Sequence, residues 1–246
     1  MRLPSVPGRV RRKLARPGPV RVFHDHEYLR HNARRQEHLA SLALPVAGAS
    51  VLEVGAGIGD HTHYFLDRGC SVTVTEAREE NLRLLRTRYP RLDVRHLDLD
   101  RPVRLAGAPF EVVYCYGTLY HLREPAKAIQ FLDDSCARTL LLETCVSFGD
   151  EPVLNPIKED RRDPSQALSG RGCRPTRPWV LRELRRHFQF VYLPLTQPNH
   201  EEFPTDWTRP ELHRLPLARA VFVASRFALD NPVLSTELPV RQDRHL

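Results

Sequence analysis

An α/β domain built on a mostly parallel sheet is what this chain predicts, and three observations carry the reading. From residue 50 onward, short runs of aliphatic and β-branched residues alternate with segments at helical spacing. The first run, Val51 to Val54, passes directly into Gly55-Ala-Gly-Ile-Gly59, giving strand, glycine turn and helix in order. A chain of 246 residues can bury one substantial core, so a single domain with additions is expected. A glycine turn of this kind brings backbone N–H groups and a helix N-terminus against a ligand with no Cβ in the way. The first inference is a nucleotide-type cofactor.

Residues 1–22 are expected to form a basic, Pro/Arg-rich tail, with Pro4, Pro7, Pro17 and Pro19 against compact structure. A domain then runs over 23–230. Its first part, 23–48, is a helical cap in which Phe23, Tyr28, Leu29, His38, Leu39 and Leu42 make irregular stripes, closed by Pro45 and Gly48. Beyond the glycine turn, Ile58, Thr62, Phe65 and Leu66 mark one face of a helix stopped at Gly69. Ser71 to Thr75 is a second strand, with Glu76 at its C-terminal end. There an acid in an open α/β nucleotide site bonds the ribose hydroxyls.

Arg78 to Tyr89 reads as a helix with Leu82, Leu85 and Tyr89 inward, stopped by Pro90. Leu92 to His96 is the third strand and leads to Asp98. Phe110 to Cys115 is the fourth, followed by a helix that starts near Pro125 and carries Ala128, Ile129 and Leu132 inward. Thr139 to Thr144 is the fifth. Residues 145–175 turn polar and rich in Pro and Gly, a long connection of the kind that lines or caps a site. Thr176 is placed as an N-cap with Pro178 in the first turn, and Val180, Leu181, Leu184 and Phe188 mark the helix. The last two strands are Phe188 to Leu193 and Ala220 to Phe227. Between them, 196–216 is dense in aromatic, His and carboxylate side chains and is a candidate substrate loop. Residues 231–246 read as a polar tail.

The formal charge of +7 is concentrated at the start, where residues 1–35 hold ten Arg or Lys against Asp25 and Glu27. Such an arm grips phosphates, and it keeps an RNA-modifying reading open. The opposing observation is that Lys13, Lys127 and Lys158 are the only lysines, so the Arg excess looks like a bias of the whole chain. Cys70, Cys115, Cys136, Cys145 and Cys173 form no metal-ligand spacing and read as reduced, buried thiols, with no metal expected. No run is long enough to span a bilayer, and residues 1–20 lack a signal-like apolar stretch; a cytoplasmic location is expected.

The glycines alternate as G-x-G-x-G, not as the G-x-G-x-x-G of dinucleotide folds, which disfavours an NAD-dependent oxidoreductase. The run Glu53-x-Gly55-x-Gly57-x-Gly59 closely resembles motif I of the class I S-adenosylmethionine (SAM) dependent methyltransferases. The stretch from Phe110 through Leu119, His121 and Leu122 to Pro125 resembles the small-molecule branch of that family. It lacks the Asn/Asp-Pro-Pro-Tyr run of the amide-methylating enzymes. The resemblance spans about residues 30–227 and implies a doubly wound seven-stranded sheet in the order 3-2-1-4-5-7-6, its last strand antiparallel. It also implies SAM as cofactor. Gly55, Gly57 and Gly59 would wrap its methionine end, Glu53 would hold the ammonium, and Asp98 would accept from the adenine amino group. Tyr116 and Tyr120 fall where the resembled fold places the methyl group, their rings facing the sulfonium.

Methyl transfer is an in-line displacement, so alignment of the reactants is the enzyme's main task. A hydroxyl nucleophile also has to lose its proton, and His suits that near neutral pH. His121 is the first candidate base, or else a residue that fixes the turn after the fourth strand. His200, Glu201 and Asp206 are the alternatives, then His24 or His26. Tyr120, His200 and Trp207 are the candidate substrate contacts. The expected activity is methylation of a small molecule, at an oxygen of a sugar or secondary metabolite. An RNA methyltransferase and a non-catalytic SAM-binding partner subunit are the competing readings.

Overall fold

The computed structural model describes residues 17–245; most of the basic arm read from the sequence lies outside them. Twelve strands and six helices follow one another among the described residues. They are α1 (Pro19–Phe23), α2 (His26–Ser41), β1 (Ser50–Val54), α3 (Thr62–Leu66), β2 (Ser71–Glu76), α4 (Glu79–Arg88), β3 (Asp93–His96), β4 (Phe110–Tyr116), α5 (Pro125–Asp134), β5 (Cys136–Val146), β6 (Leu154–Lys158), β7 (Arg171–Pro175), α6 (Arg177–Arg185), β8 (Phe190–Pro194), β9 (Thr196–Gln197), β10 (Ala218–Ser225), β11 (Leu234–Ser235) and β12 (Asp243–Arg244). Short 3-10 turns lie at Leu119–His121 and Pro210–Leu212.

The main sheet runs β3-β2-β1-β4-β5-β10-β8-β11. Its first five strands are parallel, and β10 is antiparallel to both β5 and β8. This is the order expected from the sequence with one addition, a two-residue eighth strand pairing with β8 at the edge. Successive residues of a strand face opposite sides, and in this sheet both sides are covered. Leu52, Val54, Val113 and Leu140 pack against Ala128, Ile129 and Leu132 of α5 and Val180 and Leu184 of α6. Val51, Val72, Val74 and Leu141 pack on the other side with Leu39, Phe65, Leu82 and Leu85 from α2, α3 and α4. Burial on both sides explains why β1, β4 and β5 read as nearly continuous apolar runs.

Three stretches differ from expectation. The helical cap is two helices, because Asp25 is an N-cap whose carboxylate accepts from the Tyr28 N–H at 2.8 Å and restarts the chain. The polar connection 145–175 is not irregular: β6 and β7 form an antiparallel hairpin from Leu154↔Pro175 to Lys158↔Arg171. Residues 231–245 are not a free tail. β12 pairs with β9, and buried Gln242 donates to the Pro194 carbonyl and accepts from the Trp207 indole N–H at 2.8 Å. Arg244 donates to the carbonyls of Pro198, His200 and Phe203. Side-chain bonds to backbone hold this segment, so it carries no hydrophobic period to read. Thr176 does cap α6, accepting from the Trp179 N–H. No helix among the described residues is long and apolar enough to cross a membrane.

Candidate functional site

A cleft of about 1010 Å³, counting its open mouth, lies over the C-terminal ends of β1, β2 and β4 and the loop after β3. Its floor begins at the glycine turn, where Gly55 and Gly57 have φ of +66° and +59°. A Cβ on Gly55 would lie 2.2 Å from the Thr118 hydroxyl, and one on Gly57 would lie 3.1 Å from the Phe23 ring. Gly59 has a different task and does not line the cleft. A Cβ there would fall 2.6 Å from Tyr89, whose hydroxyl donates to the Gly59 carbonyl, so this glycine lets α4 close on the turn.

Glu76, at the end of β2, organises the cleft's middle. Its carboxylate accepts from the N–H groups of Gly57 (2.9 Å), Ala77 (2.9 Å) and Arg78 (2.8 Å), tying the glycine turn to the start of α4. Burial raises its pKa and these three bonds oppose the rise. Asp98 stands beyond β3, half-buried, between the apolar walls Leu97 and Leu99, and accepts from the Asp100 N–H at 2.9 Å.

At the turn's other end lie two more carboxyl groups. Glu53 accepts from the Thr62 hydroxyl at 2.6 Å; burial, opposed by that bond, pushes its pKa up to about 7. Asp60 takes Arg88 and His24 (3.0 Å) on Oδ1, while its buried Oδ2 has no hydrogen-bond partner among the described residues. An ammonium arriving here favours ionised Glu53. Calorimetry with S-adenosylhomocysteine (SAH) is therefore expected to show affinity falling as pH drops below about 7, approaching tenfold per pH unit. Glu53→Gln should flatten that dependence. A flat wild-type profile would remove Glu53 from the ammonium seat.

Asn32, Arg35 and Tyr28 of α2 close the opposite side, with His61, Tyr116 and Gly117. The buried imidazole of His61 is fixed between Asn32 Oδ1 (3.1 Å) and the Tyr114 hydroxyl (2.5 Å). Tyr116 stacks on Tyr114 with ring centroids 4.4 Å apart, and burial raises its phenol well above the usual range. Behind this wall Glu143 of β5 is fully buried, 3.1 Å from Arg219 of β10 and 3.6 Å from Arg35. Arg35 Nε and the Tyr116 hydroxyl, both from cleft-lining residues, are buried without hydrogen-bond partners among the described residues.

Residues 164–168, from the tip of the β6–β7 hairpin, roof the cleft. Arg78 donates to the carbonyls of Arg161 and Gln166, each at 3.0 Å, and Asn81 donates to that of Pro164 at 3.2 Å. His121 lines the cleft below the roof, and its Nδ1 lies 2.5 Å from Glu159 Oε2.

The structure therefore brings together Glu53, Gly55, Gly57, Glu76, Asp98, Tyr116 and His121. Other candidates lie elsewhere. The Tyr120 ring sits between the guanidinium groups of Arg174 (4.8 Å) and Arg219 (5.1 Å), outside the cleft lining. Trp207 is core, stacked under Arg177 at 3.7 Å. Asp206 is bound to Thr208 and Arg241, His26 is exposed beside Glu27, and Glu201 holds Arg30. His24 reaches the cleft only through Asp60.

His200 packs against His31 with centroids 4.8 Å apart. These two and Glu202 approach one another within 4.8 Å, yet they do not make a good cation seat. Arg219 already occupies Glu202 at 2.6 Å, and His200 Nδ1 accepts from the Glu202 N–H, which leaves the ring proton on Nε2. Sequence reading missed Asn32, Arg35, His61, Arg78 and Glu159. The available signal was polar residues on the core side of α2, since His31, Arg35 and His38 fall three and four apart, the spacing of one helix face.

The donor set fits the adenosyl cofactor that the motifs imply. A carboxylate preset by three N–H groups ends β2, Asp98 follows β3, and the carboxyl groups of Glu53 and Asp60 flank the glycine turn.

Comparison with known proteins agrees. Residues 51–139 match the family model of a methyltransferase domain. No curated protein matches the chain in sequence. Among solved structures, the N-terminal domain of EvdMO1, determined in the presence of SAH and D-fucose, aligns with TM-score 0.60 and 21% identity over 82% of this chain and 84% of its own. An S-adenosylmethionine dependent methyltransferase from Mesorhizobium loti aligns with TM-score 0.56 and 19% identity over 82% and 99%. The 1,6-didemethyltoxoflavin-N1-methyltransferase of Burkholderia thailandensis aligns with TM-score 0.50 and 21% identity over 84% of each chain. At these identities the likeness is one of fold.

Proposed function

We propose that this chain, a class I methyltransferase that uses S-adenosylmethionine, methylates a hydroxyl oxygen of a small polar acceptor such as a sugar or a secondary metabolite. The observation that carries the reading is His121. It lines the same cleft as the glycine turn, its Nδ1 is engaged by a carboxylate, and its Nε2 makes no hydrogen bond among the described residues. Burial lowers its pKa despite the Glu159 bond, so the ring is neutral near pH 7 and has a lone pair to offer.

Bound SAM supplies an electrophilic methyl group on a sulfonium and leaves as SAH. The chain's contribution is placement. Glu76 and the glycine turn would hold the cofactor, Tyr28 and Tyr116 would wall the cleft beside it, and His121 Nε2 would take the acceptor's proton. The ligands present with the fold neighbours, D-fucose and 1,6-didemethyltoxoflavin, support an acceptor of this size. A roof built on Arg78, Asn81 and the hairpin tip also suits a small molecule better than a polynucleotide.

The test is incubation with methyl-deuterated SAM and pools of sugars and hydroxylated metabolites, read by mass spectrometry. The expected result is a labelled ether with matching SAH release. A label found only on nitrogen or carbon would correct the acceptor atom. Salt-sensitive labelling of tRNA, with none of the small molecules labelled, would replace this reading by the RNA one.

A further inference from the structure

We propose that Glu159 is a positioning residue that couples the roof over the cofactor to the tautomer of His121. The inference rests on the assignment of His121 as the base. Glu159 directly follows β6, and its side chain is only 2% exposed. A single oxygen, Oε2, accepts from His121 Nδ1 at 2.5 Å and from the Ala167 N–H at 2.7 Å, while Oε1 lies 3.4 Å from Arg174. His121 belongs to the turn after β4, and Ala167 belongs to the roof. One carboxylate oxygen thus joins the candidate base to the segment that roofs the cleft.

The chemistry of the bond sets the tautomer. Burial alone would raise the Glu159 carboxyl, but the bonds from His121 and Ala167 and the nearby Arg174 guanidinium hold it below the usual carboxylate range. An ionised carboxylate only accepts. The proton of the neutral ring is therefore on Nδ1, and the lone pair is on Nε2. When Nε2 takes the proton of the acceptor's hydroxyl, the positive charge that results on the ring is met by Glu159. If the roof lifts, Ala167 leaves Oε2 and the carboxylate loses one of the two donors that fix its direction.

The backbone is shaped for this junction. A Cβ on Gly172 of β7 would fall 2.5 Å from the Tyr120 carbonyl oxygen and 2.9 Å from Glu159 Oε1. The hairpin can lie against the 3-10 turn only because that position is glycine. Arg174, two residues on, donates to the Tyr120 and Cys173 carbonyls and seals the same seam.

The experiment needs no acceptor and uses SAH as the probe. Uniformly 15N-labelled protein is examined by 1H–15N NMR, with long-range correlations for the histidine rings and amide exchange for Ala167, free and with SAH, as wild type and as Glu159→Gln. The wild type with SAH is expected to show His121 in the Nδ1–H tautomer, with slowed exchange of the Ala167 amide. Glu159→Gln should give a mixed or reversed tautomer, a lower His121 pKa, and SAH binding weakened about tenfold, equivalent to about 1.4 kcal/mol. The proposal is overturned if wild-type His121 carries its proton on Nε2, or if tautomer and pKa are unchanged in Glu159→Gln. Should the variant not fold, the wild type alone decides: SAH must slow Ala167 exchange and sharpen the Nδ1–H tautomer together. Wild-type protein that does not bind SAH would sink the methyltransferase reading itself, an outcome distinct from failure of the coupling.

Discussion

Glu76→Ala is expected to weaken SAH binding by a hundredfold or more, about 2.7 kcal/mol, the largest effect on the cofactor of any single substitution considered. The direct loss is the carboxylate proposed to accept from the ribose hydroxyls. The indirect loss is larger in structural terms, because the N–H groups of Gly57, Ala77 and Arg78 all point at this carboxylate. Hydrogen bonds to a charged partner each contribute about 1.5–3 kcal/mol, and unpaired buried donors carry their own cost. Without the carboxylate the glycine turn loses its link to α4, so cofactor affinity and thermal stability should fall together. Glu76→Gln, which keeps one accepting oxygen, should fall between the two. Isothermal calorimetry on all three proteins checks this, and SAH affinity in Glu76→Ala within threefold of wild type would remove Glu76 from the site.

Arg219→Ala should produce the largest stability loss, about 3–5 kcal/mol, the range for breaking a buried ion pair by removing one partner. Arg219 reaches Glu143 at 3.1 Å, Glu202 at 2.6 Å and the Tyr120 hydroxyl at 3.3 Å, and Glu143 has no exposure to solvent. Among the described residues, truncation leaves the Glu143 carboxylate with only Arg35, which is 3.6 Å away. For a chain of this size the loss corresponds to a melting temperature about 6–20 °C lower. The Arg219→Ala/Glu143→Gln double variant should recover part of it, because the stranded charge is gone. A single variant that melts within about 2 °C of wild type would show that the pair is not holding β5 and β10 at the cleft wall.

What was legible in the sequence and what was not divide along a physical line. Glu53, Gly55, Gly57, Glu76 and Asp98 sit at or just beyond strand ends, so their places follow from local structure once the strands are known. Arg35, Glu143 and Arg219 come from α2, β5 and β10, and only tertiary packing joins them. Glu159 and His121 are likewise united by the β6–β7 hairpin, which was hidden in a polar segment with no strand-like alternation. Gly59 has a ligand-turn spacing, but its glycine is required by Tyr89 at the C-terminal end of α4, a contact that the motif does not encode. Trp207 and His200 belong to a stretch whose composition looked like a site. There Gln242, Arg244 and Arg177 from distant parts of the chain use that chemistry to dock the C-terminal segment.

The most direct measurement is a calorimetric titration of the purified protein with SAM, SAH and NAD. Binding of both SAM and SAH near micromolar affinity, about −8 kcal/mol, and none of NAD is the expected result. Binding of NAD in their place, or of no adenosyl ligand at all, would contradict it and leave only the α/β fold.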